Sequence, residues 1–234
     1  MQSKKAEKFR ELAKRHGVGL NIVDAYDIRH LENTVGGAFI DLVDGFCTPG
    51  CGPLSPPKDD SEVPAMVAEC VRLLEYLNWI KASVVMYAEG HEAGQREGVY
   101  PEHCVLGTPE SAIIEPLRWT EKSCFVFLLR KDCNNGIVGD IGKLTGFIEW
   151  INASQIKTLI VGGICTDICV METVLAILNL RTRGFIPSDL QVIIPIDAVV
   201  TYDLPGVHPR DLSELFALFS MQQSGALIVE QIVL

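Results

Sequence analysis

Residues 158–170 read TLIVGGICTDICV, from Thr158 to Val170. The first half is apolar and β-branched, as expected of a strand buried on both faces. Gly162 and Gly163 then permit a sharp turn, and Thr166 or Asp167 stands where a side chain caps the helix predicted over Ile168 to Arg183. Outward from this strand–turn–helix unit the same texture repeats. Short apolar runs predict further strands at Ala38 to Val43, Ala82 to Ala88, Cys124 to Leu129, Gln191 to Ile196 and Ala226 to Leu234, with Thr158 to Gly162 among them. Helical spacing fills the gaps at Val63 to Trp79, Ile141 to Asn152 and Arg210 to Gln222, and an amphipathic helix over Lys4 to His16 precedes the first strand. Glu110 to Trp119 has a weaker helical pattern, because Pro116 ends or kinks a helix there. Thr48 to Pro64 is rich in Pro and Gly and reads as a loop. Alternation of strand and helix predicts the α/β class: a doubly wound, open parallel sheet of about six strands with helices on both faces.

The chain has 234 residues, 48% of them hydrophobic, which suits a single domain over residues 1–234 with residues 1–36 as an N-terminal helical extension. A net charge of -10 argues against nucleic acid or an anionic membrane as partner. No run of about 18 uncharged apolar residues is present to span a bilayer. The N-terminal MQSKKAEKFRELAKRHG is basic but has no apolar signal core, and Glu7 and Glu11 do not suit a transit peptide, so the expected location is cytoplasmic. The eight cysteines then read as reduced thiols rather than as a disulfide framework. Homo-oligomerisation is left open.

In open parallel sheets ligands bind at the carboxyl ends of the strands. The polar residues falling there are Asp41 and Asp44, Glu89 and His91, Lys131, and the turn that carries Cys165 and Cys169. In the first turn of a helix, unpaired N–H groups and the dipole favour a thiolate at Cys169 and can hold an oxyanion. The other reading of Cys169 is a buried structural cysteine. Asp41 inside an apolar strand is costly unless paired, and Lys131 taken alone reads first as a solvated strand end. A neighbouring ammonium favours the thiolate, and a carboxylate can accept its proton. Asp44 reads as a structural hydrogen-bonding residue, and Cys47 and Cys133 as bystanders. The stretch from Glu89-Gly-His91 to Tyr100-Pro-Glu-His103 holds two of the five histidines. One carboxylate and two imidazoles leave positions open on a zinc-like or iron-like ion, with Glu97 as a further ligand, direct or through water. From residues alone, a polar loop with two unrelated histidines is the competing reading.

GICTDICV (163–170) resembles the nucleophile turn of the isochorismatase-like cysteine hydrolases, in which the cysteine before the Val is the nucleophile, here Cys169. AFIDLVDGFC (38–47) resembles the strand that supplies the family's catalytic Asp, here Asp41, and LLRKDCNNGIVG (128–139) the segment that supplies its Lys, here Lys131. YPEHCVLGT (100–108), RKDCNNGIVG (130–139) and GICTDICV (163–170) together are most similar to plant-type nicotinamidases. The resemblance implies an isochorismatase-like fold and deamidation of a small planar amide, nicotinamide, through a thioester in NAD salvage. It implies an oxyanion hole from the backbone N–H groups of Cys165 and Cys169, a cis peptide at Ile164–Cys165, and a pyridine ring held between Phe46 and Tyr100. It also implies a divalent metal, zinc with iron or manganese as the other choices, on Glu89, His91 and His103. Glu89 departs from the family pattern, which has Asp there; the longer side chain reaches one methylene further. A family amidase acting on an N-carbamoyl or ureido compound, and a non-catalytic scaffold, are the alternatives.

Overall fold

The computed structural model describes residues 3–31, 34–95, 97–139 and 146–234. In chain order the elements are helix α1 (Lys4–His16), strands β1 (Ile22–Asp27) and β2 (Val35–Ile40), short helix α2 (Asp44–Cys47), helix α3 (Glu62–Trp79) and strand β3 (Val84–Glu89). Two 3₁₀ segments, Pro109–Ser111 and Glu115–Lys122, lead to β4 (Val126–Lys131), α4 (Gly146–Ser154) and β5 (Thr158–Ile164). A π-turn, Thr166–Val170, opens α5 (Met171–Thr182), followed by β6 (Gln191–Pro195), the two-residue β7 (Val199–Val200), α6 (Arg210–Gln223) and β8 (Leu227–Val233).

The strands form one sheet in the order β1-β8-β6-β5-β2-β3-β4, with β7 added beside β5, and every pairing is parallel. Central strands β2, β3 and β5 are buried along their whole length, which is why they read as continuous apolar runs. One apolar layer joins the sheet to α4, α5, α6 and the inner stripe of α1 (Ala6, Phe9, Ala13), and the other joins it to α3 and the 3₁₀ segments. Helix α1 has matched ends: the Ser3 hydroxyl accepts from the Ala6 N–H, and Gly17 closes the helix at φ 67°. Among the described residues no helix is long and apolar enough to cross a membrane.

Several expectations change. The sheet has eight strands rather than about six. Residues 22–27 lie within the segment read as a helical extension, yet they form edge strand β1, with Ile22 opposite Ile228 and Val23 opposite Val229. The run Ile-Val-Asp-Ala-Tyr-Asp carries a weak strand signal, because only Ile22 of it is buried; pairing with β8 decides its state. Gly162 and Gly163 belong to β5 rather than to a turn. Gly163 has φ 127°, and a Cβ there would overlap the Ile40 carbonyl, so glycine serves close strand approach. Glu115–Lys122 is 3₁₀, with Pro116 in its first turn, where no N–H partner is needed. The helix expected over Ile141 to Asn152 starts, within the described residues, at Gly146; residues 141–145 lie outside them.

Candidate active site

Asp41 is the first residue past β2 and takes φ 57°, a left-handed conformation that Asp tolerates better than most residues. The twist turns its carboxylate along the sheet edge. Its N–H donates to the Tyr87 carbonyl at 2.8 Å, and its Oδ1 accepts from the Glu89 N–H at 2.9 Å. Lys131 ends β4 opposite Glu89 on β3, so both side chains rise from neighbouring strand ends. The Lys131 Nζ lies 2.9 Å from Asp41 Oδ2, contacts Glu89 Oε2, donates to the Cys133 carbonyl at 3.1 Å and stands 3.7 Å from Cys169 Sγ. All three charged side chains are buried.

Burial pushes the Asp41 carboxyl above its ordinary range, against the pull of Lys131 and Cys169. Burial works against the Lys131 ammonium, but Asp41 and Cys169 beside it prevail, so its pKa is raised and it stays a cation. Cys169, 6% exposed, has its thiol pushed up, first by burial and then by the Asp41 charge and Cys165; Lys131 opposes. Burial outweighs the ammonium at the thiol, because one cation shared with two carboxylates does not offset desolvation of the sulfur. The arrangement is a protonated thiol next to a buried carboxylate that can receive its proton. Cys169 Sγ also lies 3.8 Å from Asn134 Oδ1, a neighbour the sequence did not single out.

The nucleophile turn differs in detail from the expected capped helix. Cys165 occupies the cap position without a side-chain cap, and its carbonyl accepts from the N–H groups of Ile168 and Val170, both at 3.1 Å. Cys169 thus sits in a π-turn ahead of α5, a departure from regular helix that is frequent at functional sites. Thr166 and Asp167 cap nothing; Thr166 donates to Glu214 Oε1 at 2.9 Å, and Asp167 Oδ2 meets His208 Nε2 at 2.7 Å. The Ile164–Cys165 peptide is cis. Asp44 opens α2 rather than lying in a loop, and it accepts from the Thr48 hydroxyl at the other end of that helix. Cys47 Sγ is 3.8 Å from the Asp41 carbonyl.

Glu89, His91, Glu97 and His103 bring one ligand atom each to within 4.8 Å of one another. Glu89 Oε1 is 2.8 Å from His91 Nε2 without hydrogen-bond alignment, and neither His91 nitrogen has a hydrogen-bond partner among the described residues although the ring is 1% exposed. Buried imidazole nitrogens are seldom left so, and a cation would satisfy the Glu89 oxygen and one ring nitrogen of His91 together. His103 Nδ1 lies 2.8 Å from the Pro101 carbonyl, which fixes the proton there and leaves Nε2 as a lone pair. The residues therefore fit a divalent metal ion. Burial and the neighbouring His103 push the His91 pKa down, keeping the ligating form. Glu97, held by the Asn134 N–H at 2.6 Å, joins the three residues expected from the sequence. Glu89 belongs to both clusters, Oε2 towards Lys131 and Oε1 towards His91; its extra methylene supports that double reach.

A cavity of about 490 Å³ opens over these groups, lined by Phe46, Tyr100, His103, Cys165, Cys169 and Tyr202 among others. The His103 ring stands 5.6 Å from that of Phe46 and 6.2 Å from that of Tyr100. Tyr202 went unnoticed in the sequence because it follows β7 in a segment without motif; its ring stacks on His208 at 4.0 Å. Asn134 was within the segment 128–139 but had no stated task.

Residues 38–228 match the isochorismatase domain model. The chain is 33% identical over 217 residues to Nicotinamidase 1 of Arabidopsis thaliana, covering 88% of this chain and 89% of that protein. The crystal structure of a Bacillus subtilis nicotinamidase superposes with a TM-score of 0.67 at 20% identity, covering 84% of this chain and all of that one (100%). A Pyrococcus horikoshii pyrazinamidase, solved in complex with zinc, superposes with a TM-score of 0.65 at 20% identity over 83% of this chain and 98% of that one. With a family model that matches most of its length and a relative 33% identical over 88% of it, the chain belongs to the isochorismatase family.

Proposed function

We propose that this protein is a cysteine amidohydrolase that deamidates nicotinamide to nicotinate and ammonia, serving NAD salvage in the cytoplasm. The observation that carries the reading is the buried contact of Asp41, Lys131 and Cys169 at the strand ends, with Cys169 Sγ 3.7 Å from Lys131 Nζ and Lys131 2.9 Å from Asp41. The likeness to an Arabidopsis nicotinamidase over 88% of the chain supports the substrate, and eight free cysteines suit a reducing compartment.

In this reading Asp41 takes the Cys169 proton as sulfur attacks the amide carbon. Lys131 stabilises the carboxylate and the forming thiolate. Backbone N–H groups of Cys165 and Cys169 face the oxyanion. The C–N bond breaks as Asp41 returns the proton to the departing nitrogen, releasing ammonia and leaving a thioester on Cys169. Asp41 then takes a proton from water, the hydroxide adds to the thioester, and the C–S bond breaks as Asp41 returns that proton to the sulfur, releasing the carboxylic acid and regenerating the thiol. Phe46 and Tyr100 hold the flat ring from two sides. Glu89, His91, Glu97 and His103 would hold the divalent ion; their nitrogen and oxygen donors suit zinc, and also iron or manganese. When bound, it supplies coordination positions for water and for a ring nitrogen of the substrate.

The test is ammonia release from nicotinamide by wild type and Cys169→Ala, with metal content measured on each sample. Release by wild type that vanishes in the variant, from protein with about one metal per chain, is expected. No release from metal-loaded wild type would overturn the substrate and direct the search to N-carbamoyl and ureido amides.

A further inference from the structure

Three segments around the pocket converge on one buried carboxylate that none of the motifs contains. Glu214, on α6, is completely buried. Its Oε1 accepts from the Thr166 hydroxyl at 2.9 Å and from the Thr201 N–H at 2.9 Å, and lies 3.2 Å from the Lys5 Nζ of α1. Thr166 directly follows Cys165 and opens the π-turn that carries Cys169. Thr201 directly precedes Tyr202, a pocket-lining residue. Lys5 also donates to the Val199 carbonyl at 2.5 Å, and β7, which contains Val199, pairs with Gly163 and Ile164 just before the nucleophile turn.

A single acceptor thus fixes two backbone stretches that leave neighbouring strands and both lead into the lining of the site. A carboxylate in such a place is costly without a cation, and the cation comes from the N-terminal helix. Burial raises the Glu214 pKa, with Lys5 opposing. Its Oε2 has no hydrogen-bond partner among the described residues, so its anchoring runs through Oε1.

We propose that Glu214 is a positioning residue that sets the nucleophile turn and the Tyr202 wall against each other, with Lys5 of α1 as its counter-ion. The proposal rests on the amidohydrolase reading for its main readout. It gives the N-terminal helix a part in the site although no residue of α1 lines the cavity.

Glu214→Gln keeps an acceptor for both donors, whereas Glu214→Leu removes it and Thr166→Val removes one donor. The expected kcat on nicotinamide is within twofold of wild type for Glu214→Gln. It is lower by roughly tenfold or more for Glu214→Leu and Thr166→Val, the range seen when outer-shell partners of a site are removed. Lys5→Met should lower kcat, and adding Glu214→Gln to it should restore most of the loss, because no buried charge then lacks its cation. The iodoacetamide rate at Cys169, read by peptide mass mapping without substrate, should change in Thr166→Val and Glu214→Leu and stay at the wild-type value in Glu214→Gln. Folded Thr166→Val with wild-type kcat, or Glu214→Gln as impaired as Glu214→Leu, would overturn the proposal. A wild type inactive on nicotinamide would overturn the substrate reading alone, and the alkylation rates would still decide the positioning role.

Discussion

Replacing Lys131 by Met removes the one cation buried among Asp41, Glu89 and Cys169. The ion pair to Asp41 is 2.9 Å long and both side chains have zero exposure. At an effective dielectric constant of about 20, the gross attraction across that distance is roughly 6 kcal/mol. Desolvation of the ammonium offsets part of it, and the net cost of breaking a buried pair by deleting one partner is about 3–5 kcal/mol. The Glu89 carboxylate, also in contact with Lys131, works toward the upper end; protonation of Asp41, whose pKa is already raised, works toward the lower. For a chain of this length that corresponds to a fall in Tm of about 6–20 °C. The assay is urea and thermal unfolding of Lys131→Met against wild type at neutral pH, both with chelator so that no metal ion at Glu89 replaces the lost charge. The double variant Lys131→Met/Asp41→Asn should recover more than half of the lost stability and no ammonia-releasing activity, because it removes the stranded charge and the proton acceptor together. If Lys131→Met unfolds within about 1 kcal/mol of wild type, the cluster contributes no net buried ion pairing and the reasoning fails.

Three further outcomes follow from the geometry. With its thiol pushed up by burial and by Asp41, Cys169 should react with iodoacetamide at neutral pH more slowly than the exposed Cys124, and Asp41→Asn should speed the Cys169 reaction while abolishing amide hydrolysis; faster labelling of wild-type Cys169 than of Cys124 would contradict the shift. Asp60 accepts from the N–H groups of Glu62 and Val63 at the start of α3 and pairs with Arg210; burial opposes these contacts, but its pKa is held below 3.8. Its stabilising contribution is therefore complete above that value and lost as pH falls through the lower folded value, so Asp60→Asn should flatten the acid limb of stability below about pH 4, and an unchanged acid limb would refute the linkage. Metal analysis after loading and desalting should show that His91→Ala and Glu97→Gln lower bound divalent metal, His91→Ala more strongly, while Tyr100→Phe retains it; equal metal in all of them would count against the four-residue site.

The nucleophile turn, the Asp41 strand and the Lys131 strand were legible because each carries its chemistry in contiguous sequence next to a continuous apolar run. Burial on both faces of β2, β3 and β5 makes those strands unmistakable in composition. The metal-ligand residues were legible for a weaker reason: Glu89, His91, Glu97 and His103 lie within one short stretch, but nothing in their order reports that the side chains converge. Edge strand β1 was not legible, since an edge has little buried surface to impose a pattern and takes its conformation from its partner β8. Nor was the part played by α1, whose Lys5 reaches Glu214 across more than two hundred residues of chain.

Sequence by itself determined the α/β class, the order of the main elements and which acids, bases and thiols stand at the strand ends, because periodicity and residue chemistry are local properties. Tertiary structure alone decided three other matters. It pushed the Cys169 thiol up rather than down, because desolvation depends on everything packed around the sulfur. It made Glu89 a bridge between Lys131 and His91. And it joined Lys5, Thr166, Thr201 and Glu214 into one network behind the pocket. Each depends on distances between segments remote in sequence, which the folding of the sheet fixes and no local pattern encodes.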